Sequence, residues 1–278
     1  MKKNIKPMIY RYHDIVLFLK EAISFYNNKE DKSLRDLSHE LKIANGLLPM
    51  VLNKKRNLTN ELLSKIMKHL DYNKTEIEFA SQLRIIGYSE NYTDRKNALY
   101  KINKIKKYRQ INLNEFEFYK YLSQWYFVAI KEMTDLPDFN ESPDWIQQRL
   151  AYKVSKKEIE KALKFLINNS ILIYKNEKLI ASQKNMNCEE GIFKLSLGGF
   201  HKQILSLAGT AIDTVPREKR RILGHTLGVD KANIEQMNSI LNEAFEKIKN
   251  LTSDPNAIEE VYHVEFIAIP VTNKTENL

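Results

Sequence analysis

The chain has 278 residues, 43% apolar and 28% charged, which excludes a disordered or collagen-like protein and leaves room for about two folded domains. No apolar run reaches the roughly 18 residues of a membrane span, and the opening MKKNIKPMIYRYHD lacks the apolar stretch of a secretory signal, so a cytoplasmic protein with no membrane partner is expected. The single cysteine, Cys188, can form neither an internal disulfide nor a cysteine-rich zinc site and reads as an inert thiol.

Charge divides the chain more sharply than hydrophobicity. Residues 1–111 hold 23 Lys and Arg against 12 Asp and Glu, whereas the remainder holds 21 against 23, so the net charge of +9 belongs to the front of the chain. A basic module joined to a near-neutral partner suits a polyanion ligand, because each neutralised phosphate releases counterions. A basic solvated surface without a ligand would show the same balance.

The periodicity predicts five short N-terminal helices. Ile15, Val16, Leu19, Ile23 and Tyr26 define a helix over 12–27, with Asp14 as its cap. Ser33 caps a second through Leu41, with Leu34, Leu37 and Leu41 on one stripe. Ile43-Ala44-Asn45-Gly46 reads as a tight turn, residues 47–53 as a third helix, and Lys54-Lys55-Arg56-Asn57 as a basic loop. Thr59 caps a fourth helix through Leu70, and a fifth follows over 75–86. Two short helices separated by about four residues make the arrangement of a helix-turn-helix.

Over residues 12–86 this segment resembles the XRE-like (lambda repressor-like) class, with Ser33 to Leu41 standing as its second helix and Asn53 to Thr59 as the loop leaving its recognition helix. The resemblance implies duplex DNA as the partner. It points to Asn45 as a base-contacting side chain and to Ser33, Lys54, Lys55, Arg56 and Asn57 around it, with Ser33, Lys54, Lys55 and Arg56 as phosphate contacts. The helix itself, Asn45-Gly46-Leu47-Leu48-Pro49-Met50, departs from the class in being mostly apolar, so phosphate contacts would position the protein without specifying sequence. Pro49 falls in the first turn, where its missing N–H costs little.

Residues 91–112 then read as a basic amphipathic linker helix, in which Lys101, Lys104, Lys106 and Lys107 could extend a phosphate footprint or simply be solvated. Between 113 and 133 one aromatic-rich helix is expected, a core or dimer hub rather than a base-stacking surface, since no basic residues alternate with its rings. Residues 143–182 predict a short helix, a longer helix capped by Ser155, and two apolar runs around Lys175-Asn176-Glu177, an order that resembles a winged helix. A helix over 200–213 follows, then a strand over 220–229, a long amphipathic helix over 231–251 and a β-branched strand over 261–271, which together suggest a strand-helix-strand lobe. The fold class expected is therefore mainly α with a smaller α+β part, organised as 1–90, 91–112, 113–192 and 193–278.

Taken with Tyr12 to Leu19, Gln124-Trp125-Tyr126, Asp144-Trp145-Ile146 followed by Arg149-Leu150, Phe200-His201, Val215-Pro216 and Tyr262 to Pro270, the chain resembles a bacterial paralogous family of transcriptional regulators with an XRE-like N-terminus and a C-terminal domain of unknown function. That resemblance implies transcription regulation. A homodimer is expected, with its C-terminal part supplying dimerisation and leaving room for an effector of unknown kind. No enzyme, metal or cofactor is expected. The histidines His13, His39, His69, His201, His225 and His263 show no metal-ligand spacing, Gly198-Gly199 is too short for a phosphate loop, and the Glu189-Glu190 and Glu259-Glu260 pairs diverge on any regular element. Ser196 and His201 read as a helix start, not a nucleophile and its base. The competing class is a protein-interaction adaptor that keeps the scaffold and turns Leu47, Leu48 and Met50 toward a partner or its own rear lobe.

Overall fold

The computed structural model describes residues 5–184, 190–251 and 253–272, so that Cys188 and Glu189 lie outside the described residues. The protein is mainly helical with one small antiparallel sheet. It divides into two compact units, Met1–Trp125 with Asn185–Leu205, and Tyr126–Lys184 with Ser206–Leu278.

The first unit opens with a 3-10 turn, Ile9–Arg11, and continues through α1 (Ile15–Glu30), α2 (Leu34–Glu40), α3 (Leu47–Leu52), α4 (Asn60–His69), α5 (Lys74–Tyr88), α6 (Tyr92–Lys104), α7 (Lys106–Ile111) and α8 (Leu113–Leu122). The helix starts follow the caps. Asp14 accepts from the amides of Val16 and Leu17, Thr59 from Leu62, and Ser33 and Asn73 form reciprocal capping boxes with Asp36 and Glu76. Each such cap stabilises its helix by about 1 kcal/mol.

The helix stops are less conventional. Lys42, Lys54 and Asp71 sit in the left-handed region at φ 50°, 58° and 57°, each just past a helix, and no glycine among the described residues has a positive φ. The pattern after α2 is a complete Schellman motif, with Lys42 N–H donating to His39 O and Ile43 N–H to Ser38 O. The same pair of bonds follows α3, from Lys54 to Val51 and Lys55 to Met50, and follows α4, from Asp71 to Lys68 and Tyr72 to Met67. Side chains carrying a Cβ occupy positions that favour glycine. The turn between α2 and α3 thus gets its reversal from Lys42, whereas Gly46 is an ordinary right-handed residue at φ −80°.

The core of this unit gathers Ile9, Phe18, Leu19, Leu37, Leu48, Ile66, Phe79, Ile102 and Tyr108. Tyr108 is fully buried against Phe79 and His13. The segment 91–112, expected as one linker helix, is two helices broken at Ile105, which is extended at ψ 114°. Its apolar side is packed core, with Leu99, Ile102 and Tyr108 buried, and Asn112 donates its amide to Tyr10 O at 2.7 Å. Spacing alone does not distinguish a solvated basic helix from one that hides its apolar stripe.

α12 (Glu190–Thr214) begins about ten residues earlier than the periodicity predicts. Gly198 and Gly199 do not break it. They present a flat helix face to Tyr92, whose ring would lie 3.3 Å from a Cβ at Gly198, and whose hydroxyl donates to Leu195 O. Ser196 is consequently buried inside the helix, so its expected helix-start role does not hold.

In the second unit, α9 (Trp125–Met133), α10 (Pro143–Arg149) and α11 (Lys156–Asn168) precede a hairpin, β1 (Leu172–Lys175) and β2 (Lys178–Ala181). The aromatic segment 113–133 is therefore two helices, α8 and α9, interrupted at residues 123–124, and it serves packing: Phe118 stacks on Phe193 in the first unit, Phe127 packs edge-on against Phe165 in the second. Ser155 caps α11 through a box with Glu158. Leu172 pairs with Ala181 and Lys175 with Lys178 around Asn176 and Glu177, both at positive φ as a tight two-residue turn of type I′ requires.

The remainder departs from expectation. α13 (Lys231–Lys249) forms, capped by Asp230, but residues 220–229 and 261–271 make no strand with any described residue. Among the described residues the strand-helix-strand unit is not closed. A β-branched alternating segment is fit for a sheet, yet becomes a strand only where a neighbour accepts its ladder.

Two stability outcomes follow from these backbones. Lys42→Gly should stabilise the protein by about 1 kcal/mol by relieving the left-handed residue, read as a raised denaturation midpoint with unchanged slope. Gly198→Val should destabilise it by about 1–3 kcal/mol through collision with Tyr92, whereas Gly199→Ala, 3.5 Å from the same hydroxyl, should be neutral or stabilising.

Candidate nucleic-acid interface

The sequence-derived site residues come from α2, the turn, α3 and the loop after it. Ser33, Asn45, Lys54, Lys55, Arg56 and Asn57 are all exposed. α3 is divided lengthwise: Leu48, Val51 and Leu52 are buried in the core of the first unit, while Asn45, Gly46, Met50 and Asn53 face outward. Leu48 has no exposed surface, so the adaptor surface imagined from Leu47, Leu48 and Met50 shrinks to Met50 with a half-buried Leu47. The inner three residues hold the helix by about 1.5–3 kcal/mol each, which frees the outer face for a ligand.

The loop is anchored at one lysine. Lys54 Nζ donates to Asp14 Oδ2 at 2.7 Å, so the N-cap of α1 also tethers the residue that ends α3. Burial pushes the Asp14 carboxyl up, but the hydrogen bonds from Lys54 and from the amides of Leu17 and Val16 outweigh it and leave its pKa below the ordinary value. The Lys54 ammonium is raised in turn by the hydrogen bond to Asp14. Lys54 therefore has a structural partner that a phosphate would have to share, while Lys55, Arg56 and Asn57 follow it on the exposed loop.

Ser33 is occupied as well. Its hydroxyl donates to Asp36 Oδ2 at 2.6 Å and accepts from the Asp36 amide, and its own N–H donates to the same carboxylate at 2.8 Å. These bonds hold Asp36 below its ordinary pKa. A carboxylate beside Ser33 opposes a phosphate there.

A second polar cluster ties α1, α2 and α4 together and escaped sequence reasoning altogether. His69 Nε2 lies 2.8 Å from Glu40 Oε2 and 3.1 Å from the Tyr26 hydroxyl, and Lys32 pairs with the same Glu40. Its members are 43 residues apart at the extremes, and no local spacing announces them. Further along, Lys101, Lys104, Lys106 and Lys107 are exposed on α6 and α7, with Lys104 over the Tyr100 ring at 4.3 Å and Lys107 over Tyr10 at 5.1 Å. Between α5 and α6 lies a polar groove of 470 Å³ lined by Gln82, Arg84, Tyr88, Asp94, Asn97 and Lys101. In the second unit, Lys156, Lys157, Lys161 and Lys164 of α11 are also exposed.

The family described as Domain of unknown function (DUF4423) matches residues 103–271, from the end of α6 through α13 and the extended segment after it. The chain belongs to that family. No curated protein and no solved structure matches it. The residues of α1 to α5, with the basic loop, lie ahead of the DUF4423 match. Among the described residues, no helix is long and apolar enough to cross a membrane.

The anchoring ion pair predicts an acid dependence. A carboxylate whose folded pKa is depressed contributes stability above its ordinary value of 3.8 and loses it as pH falls toward the lower folded value. Asp14→Asn keeps a competent N-cap but removes the charge, so it should be less stable than wild type at pH 7 and equal to it once the pH is well below 3.8. Urea midpoints for the two proteins across pH 2 to 7 would show it, and a constant gap would exclude the electrostatic tether.

Proposed function

We propose that the protein is a DNA-binding regulator of transcription that grips duplex DNA through the α2–turn–α3 segment and acts as a dimer. The observation that carries the reading is the outward presentation of Asn45 together with Lys55, Arg56 and Asn57 beside a helix whose inner face is locked into the core. The charge distribution supports it, because the cationic surplus lies in the part of the chain that contains this segment.

In this reading α3 enters the major groove and Asn45 offers the amide that pairs with an adenine edge, while the loop cations bind phosphates. Met50 presents an apolar contact suited to a thymine methyl. Two copies would reach half-sites about 34 Å apart. The helix, helix and hairpin of the second unit then form a winged-helix-like packing module, with its exposed α11 lysines as a secondary phosphate surface. Regulation, an effector and a cytoplasmic setting belong to the same proposal. The adaptor reading is less favoured, since α3 keeps only Met50 and part of Leu47 for a protein partner.

The deciding measurement is retention on duplex DNA as a function of salt. Lys55→Ala with Arg56→Ala, which leaves the Lys54–Asp14 pair in place, should weaken binding on every sequence and reduce the log–log salt slope by about 2. Asn45→Ala should alter preference among sequences by about 1–3 kcal/mol at one position while leaving the slope unchanged. Wild-type protein that shows no salt-dependent retention would exclude the reading.

A further inference from the structure

α13 is an amphipathic helix of 19 residues without a single buried residue. Its apolar positions Ile240 and Phe245 are 58% and 45% exposed, and the flanking extended segments expose Leu223, Tyr262, Ile267 and Ile269 as well. An amphipathic helix in water needs a cover for its stripe. Within the chain that cover is a beginning only: Phe245 meets Phe266 edge-on at 6.5 Å, which sets α13 against one face of the 261–271 segment.

That segment carries apolar residues on both alternating faces, Tyr262, Val264 and Phe266 on one and Val261, Ile267 and Ile269 on the other, the latter interrupted by the paired His263 and Glu265, a pattern suited to a strand covered on both faces. It is extended yet joins no ladder among the described residues, and the same holds for 221–229. A long apolar strand edge left unpaired is a template for another chain.

We propose that residues 217–271 form a dimerisation module in which two copies of the chain pair their extended segments edge to edge into one intermolecular sheet, with the two α13 helices covering it. Three observations favour a second copy over a different protein. The first is size: the exposed large apolar side chains of the module, taken together, offer on the order of 1,000–1,500 Å² per chain, an amount matched to the roughly 2,000–5,000 Å² buried in obligate homodimers.

The second is charge. Arg217, Lys219, Arg220 and Arg221 cluster at the start of one extended segment and Glu259 and Glu260 at the start of the other; within one chain Lys219 already pairs with Glu260 at 2.7 Å, and Glu265 pairs with His263. Each copy therefore offers both signs, and a two-fold axis sets the basic stretch of one against the acidic stretch of the other. The third is composition: the module contains a helix with an apolar stripe and, in 261–271, an extended segment with apolar residues on both faces, so a copy of itself supplies each missing layer. The inference deepens the dimer part of the proposed function and is independent of DNA binding.

The test uses the full-length protein and measures mass by light scattering across a dilution series from about 50 µM to about 1 µM. Wild type should appear at twice 32.7 kDa at the upper concentration. Ile267→Pro removes one ladder donor per copy and fits an extended unpaired segment without strain, so it should weaken association about tenfold or more with unchanged helix content. Should that variant fail to fold, hydrogen exchange on wild type carries the test: amides in 258–269 should be protected only at concentrations where the dimer persists. A wild-type monomer at about 50 µM, an Ile267→Pro dimer as tight as wild type, or protection independent of concentration would each overturn the module. A dimer that ignores DNA would overturn the DNA-binding reading and leave the module standing, whereas a monomer that binds DNA would overturn the module and the dimer part of the proposed function and leave its DNA-binding part standing.

Discussion

Most of the first unit's geometry depends on how its helices stop. The last carbonyls of a helix must find donors, and here they find them in a chain that reverses through a left-handed residue at Lys42, Lys54 and Asp71, with the next two amides bonding back. The motif sets the angle at which α3 leaves α2 and the direction in which the basic loop leaves α3. It also places a lysine at a strained position in both cases. Lys54 is held there by more than backbone bonds, because its ammonium closes onto the N-cap carboxylate of α1.

That closure joins the two ends of the candidate interface. Asp14 ends the chain's entry into α1, Lys54 ends α3, and the pair fixes the loop in which Lys55, Arg56 and Asn57 follow. The inner side of α3 contributes the rest of the rigidity through Leu48, Val51 and Leu52. A surface held on a packed helix and a tethered loop keeps its donors in place before any ligand arrives, which lowers the ordering cost of binding. The same arrangement limits the surface, since Ser33 and Lys54 already satisfy acidic partners of their own.

The second unit shows the opposite condition. Its helix-helix-hairpin part is closed by α10, α11 and the two strands, with Ile146, Ile159, Leu166 and Leu172 buried. Beyond α12, helix and extended segments have the right composition and local caps, but among the described residues their ladder groups find no strand partner and their large apolar side chains stay exposed. Local preference and tertiary satisfaction are separable, and among the described residues of this part the first is met without ladder partners. The DUF4423 match runs through this part to residue 271, so these segments belong to the matched domain.

What the amino-acid sequence determined by itself was local: the caps at Asp14, Ser33, Thr59 and Ser155, the stripes of α1 to α5, α11 and α13, the hairpin around Asn176 and Glu177, and the exposure of the basic loop. Each follows from a side chain acting within about four residues of its own backbone. Only the tertiary structure decided that residues 91–112 bury Tyr108 instead of linking domains, that Gly198-Gly199 receive a ring instead of ending a helix, and that Tyr26, Glu40 and His69 converge. It also decided that the segments at 220–229 and 261–271 stay without strand partners in the described chain. These outcomes turn on groups far apart in sequence, and periodicity, which records what a segment can bury, carries no information about which distant surface arrives to bury it.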